Sequence, residues 1–362
     1  ASSENRWGRN AVDRFIAANH AALILAPAPE ADRHEWVRRV YFDVHGLPPT
    51  RAQIEAFVND RRPDAAERLV DELLASPRYG ERWAQHWLDL VRYAESDGYR
   101  ADAYRPAAWP YRDYVIQSFN ADKPYDQFVR EQLAGDEIAF DDPAVLVATS
   151  YLRNPIYEWN QRDVRGQANL IVDDITGNVG EVFLGLSLGC ARCHDHKFDP
   201  ILQKDYFALR AFFEGVLWRT DLRLGDAEEW AQHAAQQAKW LEATAEIRTK
   251  MDAMTGPALK KNVARAHGRF TEDLKGMIAK SPAQREPLEQ ILATMSERQM
   301  QYERDNFDPL KVLKTTEEKA RYKALEAKLK PFDALKPKPL LPAFVATDAG
   351  PTAPPTRMKM RK

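Results

Sequence analysis

Apolar residues recur at helical spacing along most of the chain, and few stretches alternate as strands do. Within residues 5–26, Trp7, Val12, Phe15, Ile16 and Ala22 fall on one helical face. "APAPEADR" interrupts that pattern, and "RHEWVRRVYFDVHGLPPT" predicts a second helix ending at Gly46, with Pro48 and Pro49 blocking its continuation. Thr50 is placed to cap "RAQIEAFVND", and a further helix covers Asp64 to Leu74. In "RWAQHWLDLVRYAES", Trp83, Trp87, Leu90, Val91 and Ala94 form an apolar stripe, with His86 beside it. "YRPAAWPYRDYVIQSFNADKPYDQFVREQLAGD" predicts two helices separated at "NADKP". Residues 161–189 predict one or two more, running into the glycine-rich "FLGLSLGC", and "QKDYFALRAFFEGV" a short amphipathic one.

Composition shifts near residue 225. "DAEEWAQHAAQQAKWLEATAEIRTKMDAM" and "TTEEKARYKALEAKLK" are rich in Ala, Glu, Lys and Gln, and Thr315 with Glu318 makes a capping box for the second. They predict an antiparallel helical hairpin projecting from the body, a solvated element for spacing or partner contact. From Pro331 the chain is proline-rich, reading as a linker or the first strand of a further domain. The expected organisation is therefore mainly α: an irregular multi-helix body over 1–224, a charged hairpin over 225–330 and a proline-rich tail over 331–362.

The 362 residues carry 52 basic and 54 acidic side chains, a net charge of −2, with no basic block in either half, which argues against a general nucleic-acid binder. No apolar run approaches the roughly 18 residues of a membrane span; "AALILAPAP" is too short. The chain begins "ASSENRWGRN" without Met, which reads as a processed or trimmed product, and it stops on "TRMKMRK" without a closing element, which reads as a product continuing further.

Chemistry concentrates in "LGCARCHDHKFDPI", which holds the two cysteines of the chain, Cys190 and Cys193, with His194 directly after. C-x-x-C-H is the attachment signature of c-type haem. Two thiols add across the two vinyl groups of the porphyrin, and the next residue supplies the proximal nitrogen. Three rivals stand beside this. A structural zinc site would need Cys190, Cys193 and two further ligands, with His194 and His196 nearest, but four ligands within seven residues strain the geometry. A redox dithiol would expect a βαβ setting that the pattern lacks. The last rival is a chance coincidence with no site. If haem is attached, attachment outside the bacterial cytoplasm places the protein in the periplasm or at the cell surface.

"CARCHDHKFDPILQKDYFALRAFF", "RRVYFDVHGLPPT", "SPRYGERWAQHWLDLVRYAESDGY" and "RPAAWPYRDYVIQSFNADKPYDQFVREQLAGD" together resemble a family of large secreted proteins of planctomycetes and related bacteria. Its members carry a domain of unknown function that often follows a planctomycete cytochrome c domain. The resemblance spans residues ~5 to ~350, loosely through the hairpin. It implies export, a c-type haem at Cys190, Cys193 and His194, and further domains before and after this one. It gives His45 little weight as a ligand, since that position is commonly not histidine in the family.

For the opposite face of the iron, His86 is the leading candidate, against the reading of a core histidine bonded to a carboxylate or backbone group. His196 is expected on the proximal side, where it could bond a propionate or a carboxylate. Methionine is disfavoured, because all seven Met fall after residue 250. Arg82, Arg92, Tyr93, Arg112 and Lys197 could meet propionates or serve as surface charges. Calcium at Glu95, Asp97 and Asp102 lacks the full twelve-residue loop pattern. Asp173 and Asp174 suit proton transfer near the haem, or a helix-surface or capping role. Three functions follow: a monohaem electron-transfer module working with a redox protein or the subunits of a larger complex; a haem oxidoreductase acting on peroxide or a small organic or sugar substrate, since so large a body exceeds the needs of simple electron transfer; and a cell-surface assembly protein in which the motif is a structural clip.

Overall fold

The chain ends its second helix where the backbone must enter the left-handed region. At Gly46, φ is +70°, and a Cβ there would lie 2.6 Å from Arg82 Cδ, so only glycine closes α2 (Arg33–His45) this way. Thr50 then opens α3 (Arg51–Asn59) with the capping box expected of it, its partner being Gln53. The structure, a computed structural model, describes residues 8, 10–98, 102–159 and 163–356. Trp7, expected on the first helix, lies outside the described residues, and α1 covers Ala11–Ala22.

Two compact units divide the chain at 1–82 and 83–362. The first holds α1 to α3, α4 (Ala65–Leu74) and the start of α5 (Pro77–Leu90). Its core is Val37, Tyr41, Phe57, Ala65 and Leu73. His45 belongs to this packing: its Nε2–H donates to the Leu73 carbonyl at 2.9 Å, and its ring meets the edge of Tyr41.

The second unit holds α6 (Trp109–Asn120), α7 (Tyr125–Ile138), α8 (Pro143–Ala148), α9 (Val164–Phe183), α10 (Gln203–Ala211), α11 (Ala227–Ala243), α12 (Ala245–His267), α13 (Glu272–Ala279), α14 (Pro287–Asp305), α15 (Pro309–Val312) and α16 (Thr316–Leu329). Two short strands, β1 (Val216–Arg219) and β2 (Val345–Asp348), pair antiparallel with Val216 opposite Asp348. The mainly α expectation holds among the described residues, with 65% helix and these two strands.

One core runs from α5 to β2. Gln132 sits at its centre, fully buried, its Oε1 accepting from Tyr111 Oη at 2.6 Å and Trp87 Nε1 at 3.2 Å. Such a group must be satisfied when it is taken from water. The stripe on α5 differs from the expected one. Ala84, Trp87 and Val91 are buried, whereas Trp83 and Leu90 are 40% and 57% exposed. The helix stops at Leu90 and Arg92 takes φ +58°, so the stripe is not carried on to Ala94 as a helical face.

The charged stretch and the tail also depart from expectation. α11 has no fully buried residue, and α16 packs on α12, as surface helices would. Between them, however, Leu274 on α13 and Ile291, Leu292, Met295 and Met300 on α14 enter the main core. Residues 225–330 therefore share the body's interior and are not a free-standing hairpin. The proline-rich tail supplies Ala343 to Ala346, all buried, and its strand pairs with β1 of this same chain.

Candidate functional site

Residues 184–205 wrap the end of α9. Gly185 turns the chain at φ +65°, the Leu186 N–H returns to the Gly180 carbonyl at 2.9 Å, and a 3₁₀ turn follows over Leu188–Arg192. A Cβ on Gly180 would sit 2.6 Å from Leu188 Cβ, so this glycine lets the turn close on the helix. In a 3₁₀ turn side chains three apart eclipse. Leu188 and Ala191 accordingly face inward together, against Ile201 and Tyr206. Cys190 and Cys193 follow the same three-residue step on the open side; both are exposed free thiols. The C-x-x-C spacing is thus the turn's own period.

The two histidines after the turn have opposite ring chemistry. His194 is exposed, and its Nδ1 lies 2.7 Å from the Asp195 carbonyl oxygen. A carbonyl only accepts, so Nδ1 carries the proton and the Nε2 lone pair is left for a metal. His196 Nδ1 instead accepts from the backbone N–H of Asp199 at 2.9 Å and of Phe198 at 3.3 Å. Its proton is then on Nε2, which removes it from service as a neutral ligand. His196 is a loop fastener, with its own N–H on the Ile201 carbonyl at 2.8 Å.

Asp173 on α9 ties this segment down. Its Oδ1 accepts from Tyr206 Oη at 2.8 Å and lies 3.1 Å from Arg210 Nε, while its Oδ2 lies 3.2 Å from Arg192 Nη1. Arg192 hydrogen-bonds the Cys193 side chain, which, with Asp173, pushes its pKa up. Burial, and then the Asp173 carboxylate, push the Tyr206 phenol well up. Asp174 pairs with Arg92 instead. The adjacent carboxylates therefore serve separate ion pairs, Asp173 with Arg192 and Arg210, and Asp174 with Arg92. The sequence reading missed Gly180, Tyr206 and Arg210; the i, i+4 pair Tyr206–Arg210 on a short amphipathic helix was the available signal.

His86 is exposed on α5, its ring edge-on to Trp83 at 5.5 Å. The cysteine turn packs on α9 and α10, and α5 is not packed on it to a comparable extent. Both nonetheless lean on the same end of α9: Trp87, next to His86, meets Phe183 at 5.6 Å, and Leu188 seats on Gly180. The expected propionate partners are engaged elsewhere. Arg92 holds Asp174, Tyr93 donates to Glu95 at 3.0 Å, Arg112 pairs with Glu95 and Asp113, Lys197 lies over the Phe198 ring, and Arg82 lies against Gly46 in the first unit. Two of the three carboxylates suggested for calcium are also engaged, Asp97 by Arg105 at 2.6 Å and by Trp159, and Glu95 as above. Among the described residues no three His, Cys, Asp or Glu side chains converge as a metal site, and no helix is long and apolar enough to cross a membrane.

The surface flanking the turn is unusually apolar: Leu184, Leu186, Phe198 and Leu202 are 57%, 40%, 83% and 40% exposed. A family model described as "PSCyt2: Protein of unknown function (DUF1549)" matches residues 11–217, more than half of the chain, a span that includes the cysteine turn and ends in β1. No curated protein and no solved structure matches.

Proposed function

The chain belongs to the PSCyt2 family of unknown function, a planctomycete-type domain whose name points to a cytochrome-associated role, and from that premise we propose that it is an exported module carrying one covalent c-type haem and passing electrons to or from a redox protein or the subunits of a larger complex. The observation that carries this reading is the donor set: two exposed thiols on one side of a 3₁₀ turn, followed by an imidazole with its Nδ1 proton committed to a carbonyl. Cys190 and Cys193 would hold the group by thioether bonds and His194 Nε2 would ligate its iron; when bound, the haem supplies reversible one-electron chemistry. The four exposed apolar residues around the turn would be covered by a flat hydrophobic group, which removes the cost of leaving them in water. Arg192, held by Asp173, hydrogen-bonds the Cys193 side chain and would position that sulfur for attachment. His86 is proposed for the sixth position, because Trp87 anchors it at the end of α9 on which the turn sits.

The deciding measurement is an absorption spectrum of the protein, oxidised and reduced, followed by acid–acetone extraction. A haem c α-band that stays with the polypeptide is the expected result. A colourless product from a host that matures c-type haem refutes the proposal. His86→Ala should convert a low-spin spectrum to high-spin; an unchanged spectrum removes His86 as the ligand. A wild-type spectrum that is already high-spin and shifts with cyanide favours the oxidoreductase reading.

A further inference from the structure

The second unit holds a half-open cavity of about 580 Å³ lined from α9, α10, β1 and α14, within the range of sites for small organic ligands. Its walls are apolar, including Val172, Trp218, Ile291 and Met295, and Asn169, Arg210 and Glu214 form one polar corner. In that corner Arg210 Nη1 lies 3.0 Å from Glu214 Oε1, and Nη2 donates to Asn169 Oδ1 at 2.9 Å. Thr356 donates to the same Glu214 oxygen at 3.2 Å. These bonds leave Glu214 Oε2 and Asn169 Nδ2, an acceptor and a donor, without a hydrogen bond among the described residues.

The charge of the corner is already balanced. Arg210 is the cation of the corner and meets both Glu214 and Asp173, and Arg165, the other cation on the wall, is paired with Asp273 at 2.6 Å. An anionic ligand would face the Glu214 carboxylate and cations already paired with acids, and a cationic one would compete with a buried guanidinium. Burial raises the Glu214 pKa despite Arg210, which also favours an uncharged environment. A ligand here therefore needs a neutral polar group. The Trp218 ring and the Met295 thioether favour a flat ring as its body.

We propose that this cavity binds an uncharged, apolar ring compound bearing a single hydroxyl, with the ring between α9, β1 and α14 and the hydroxyl on Asn169 and Glu214. The site does not depend on the haem, although Arg210 in its corner also meets Asp173, which holds the cysteine turn.

Equilibrium dialysis of the full chain against 1-naphthol, naphthalene and 1-naphthoate tests it. The expected result is saturable 1-naphthol binding, with naphthalene and 1-naphthoate each weaker by at least about tenfold, the loss that goes with one hydrogen bond or one misplaced charge. Ala168→Phe fills the cavity from α9, and Leu288→Trp, at a 38% exposed position, fills it from the opposite wall. Each should weaken 1-naphthol binding about tenfold or more with the melting temperature kept. Absence of saturable 1-naphthol binding up to about 1 mM, equal binding of all three compounds, or unchanged binding in both variants overturns the proposal. If both variants lose stability, the comparison of the three compounds on the wild-type chain still decides. A colourless protein that binds 1-naphthol would sink the haem reading and leave this one standing.

Discussion

Gly180→Ala tests whether the cysteine turn owes its position to one missing methyl group. Gly180 and Gly177 lie on α9, one turn apart. An alanine Cβ at Gly177 meets nothing within 4 Å, whereas at Gly180 it meets Leu188 Cβ at 2.6 Å, Leu188 Cδ2 at 3.2 Å and the Leu186 carbonyl oxygen at 3.4 Å. Inside a helix, glycine to alanine should stabilise by about 0.5–1 kcal/mol at either site through backbone entropy. Only at Gly180 is this opposed by overpacking, typically about 1–3 kcal/mol. The helix contribution cancels between the two variants, so their difference is the overpacking cost itself. For a unit of this size that difference corresponds to a gap of roughly 2–10 °C in melting temperature, with Gly177→Ala the more stable. Calorimetry measures it, and DTNB labelling of chain made without haem reports on the turn. The labelling rates of Cys190 and Cys193 should change in Gly180→Ala and not in Gly177→Ala. Equal melting temperatures, or Gly180→Ala the more stable, would refute the contact as the reason for this glycine.

Other outcomes follow from single contacts. His194→Ala should abolish the native haem spectrum, whereas His196→Ala should leave its band positions in place and loosen the loop, seen as faster proteolysis near residue 198; identical spectra for the two would reverse the ring assignments. Gln132→Leu leaves Tyr111 O–H without its buried acceptor, while Trp87 Nε1–H keeps Tyr111 Oη at 3.3 Å, so stability should fall by about 1–3 kcal/mol in denaturant titration. Burial raises the Glu131 pKa, but hydrogen bonds from Lys123, Gln127 and Tyr114 outweigh it and hold the value below the ordinary 4.5. A depressed carboxyl contributes stability above its unfolded pKa and loses it as pH falls through the folded one. The melting-temperature gap between wild type and Glu131→Gln should therefore be wide at pH 7 and narrow at pH 3; a gap independent of pH would show that Glu131 is not held as the carboxylate.

Much of the helix order was legible locally, because caps and stops act within one turn of the chain: Gly46 closing α2, Thr50 with Gln53 opening α3, and Thr315 with Glu318 opening α16. The cysteine motif was legible for the same reason, since its three-residue step is the period of the turn it forms. Long-range decisions were not. Reading the charged runs on either side of α14 concealed its apolar face of Ile291, Leu292 and Met295, whose partners lie more than a hundred residues earlier on α9. Nothing in the tail's composition said that residues 343–346 would be buried and pair with β1, because a two-stranded pairing carries no local signature and depends on what the strand meets. Nor could spacing separate His194 from His196. They differ only in whether the ring nitrogen faces a carbonyl oxygen or a backbone N–H, and that is set by the fold of the loop around them. By itself the sequence determined the mainly helical class, most helix ends and the cysteine turn. Which helices share a core, which imidazole keeps a free lone pair and where a cavity opens were decided by tertiary packing, since each depends on atoms brought together from distant parts of the chain.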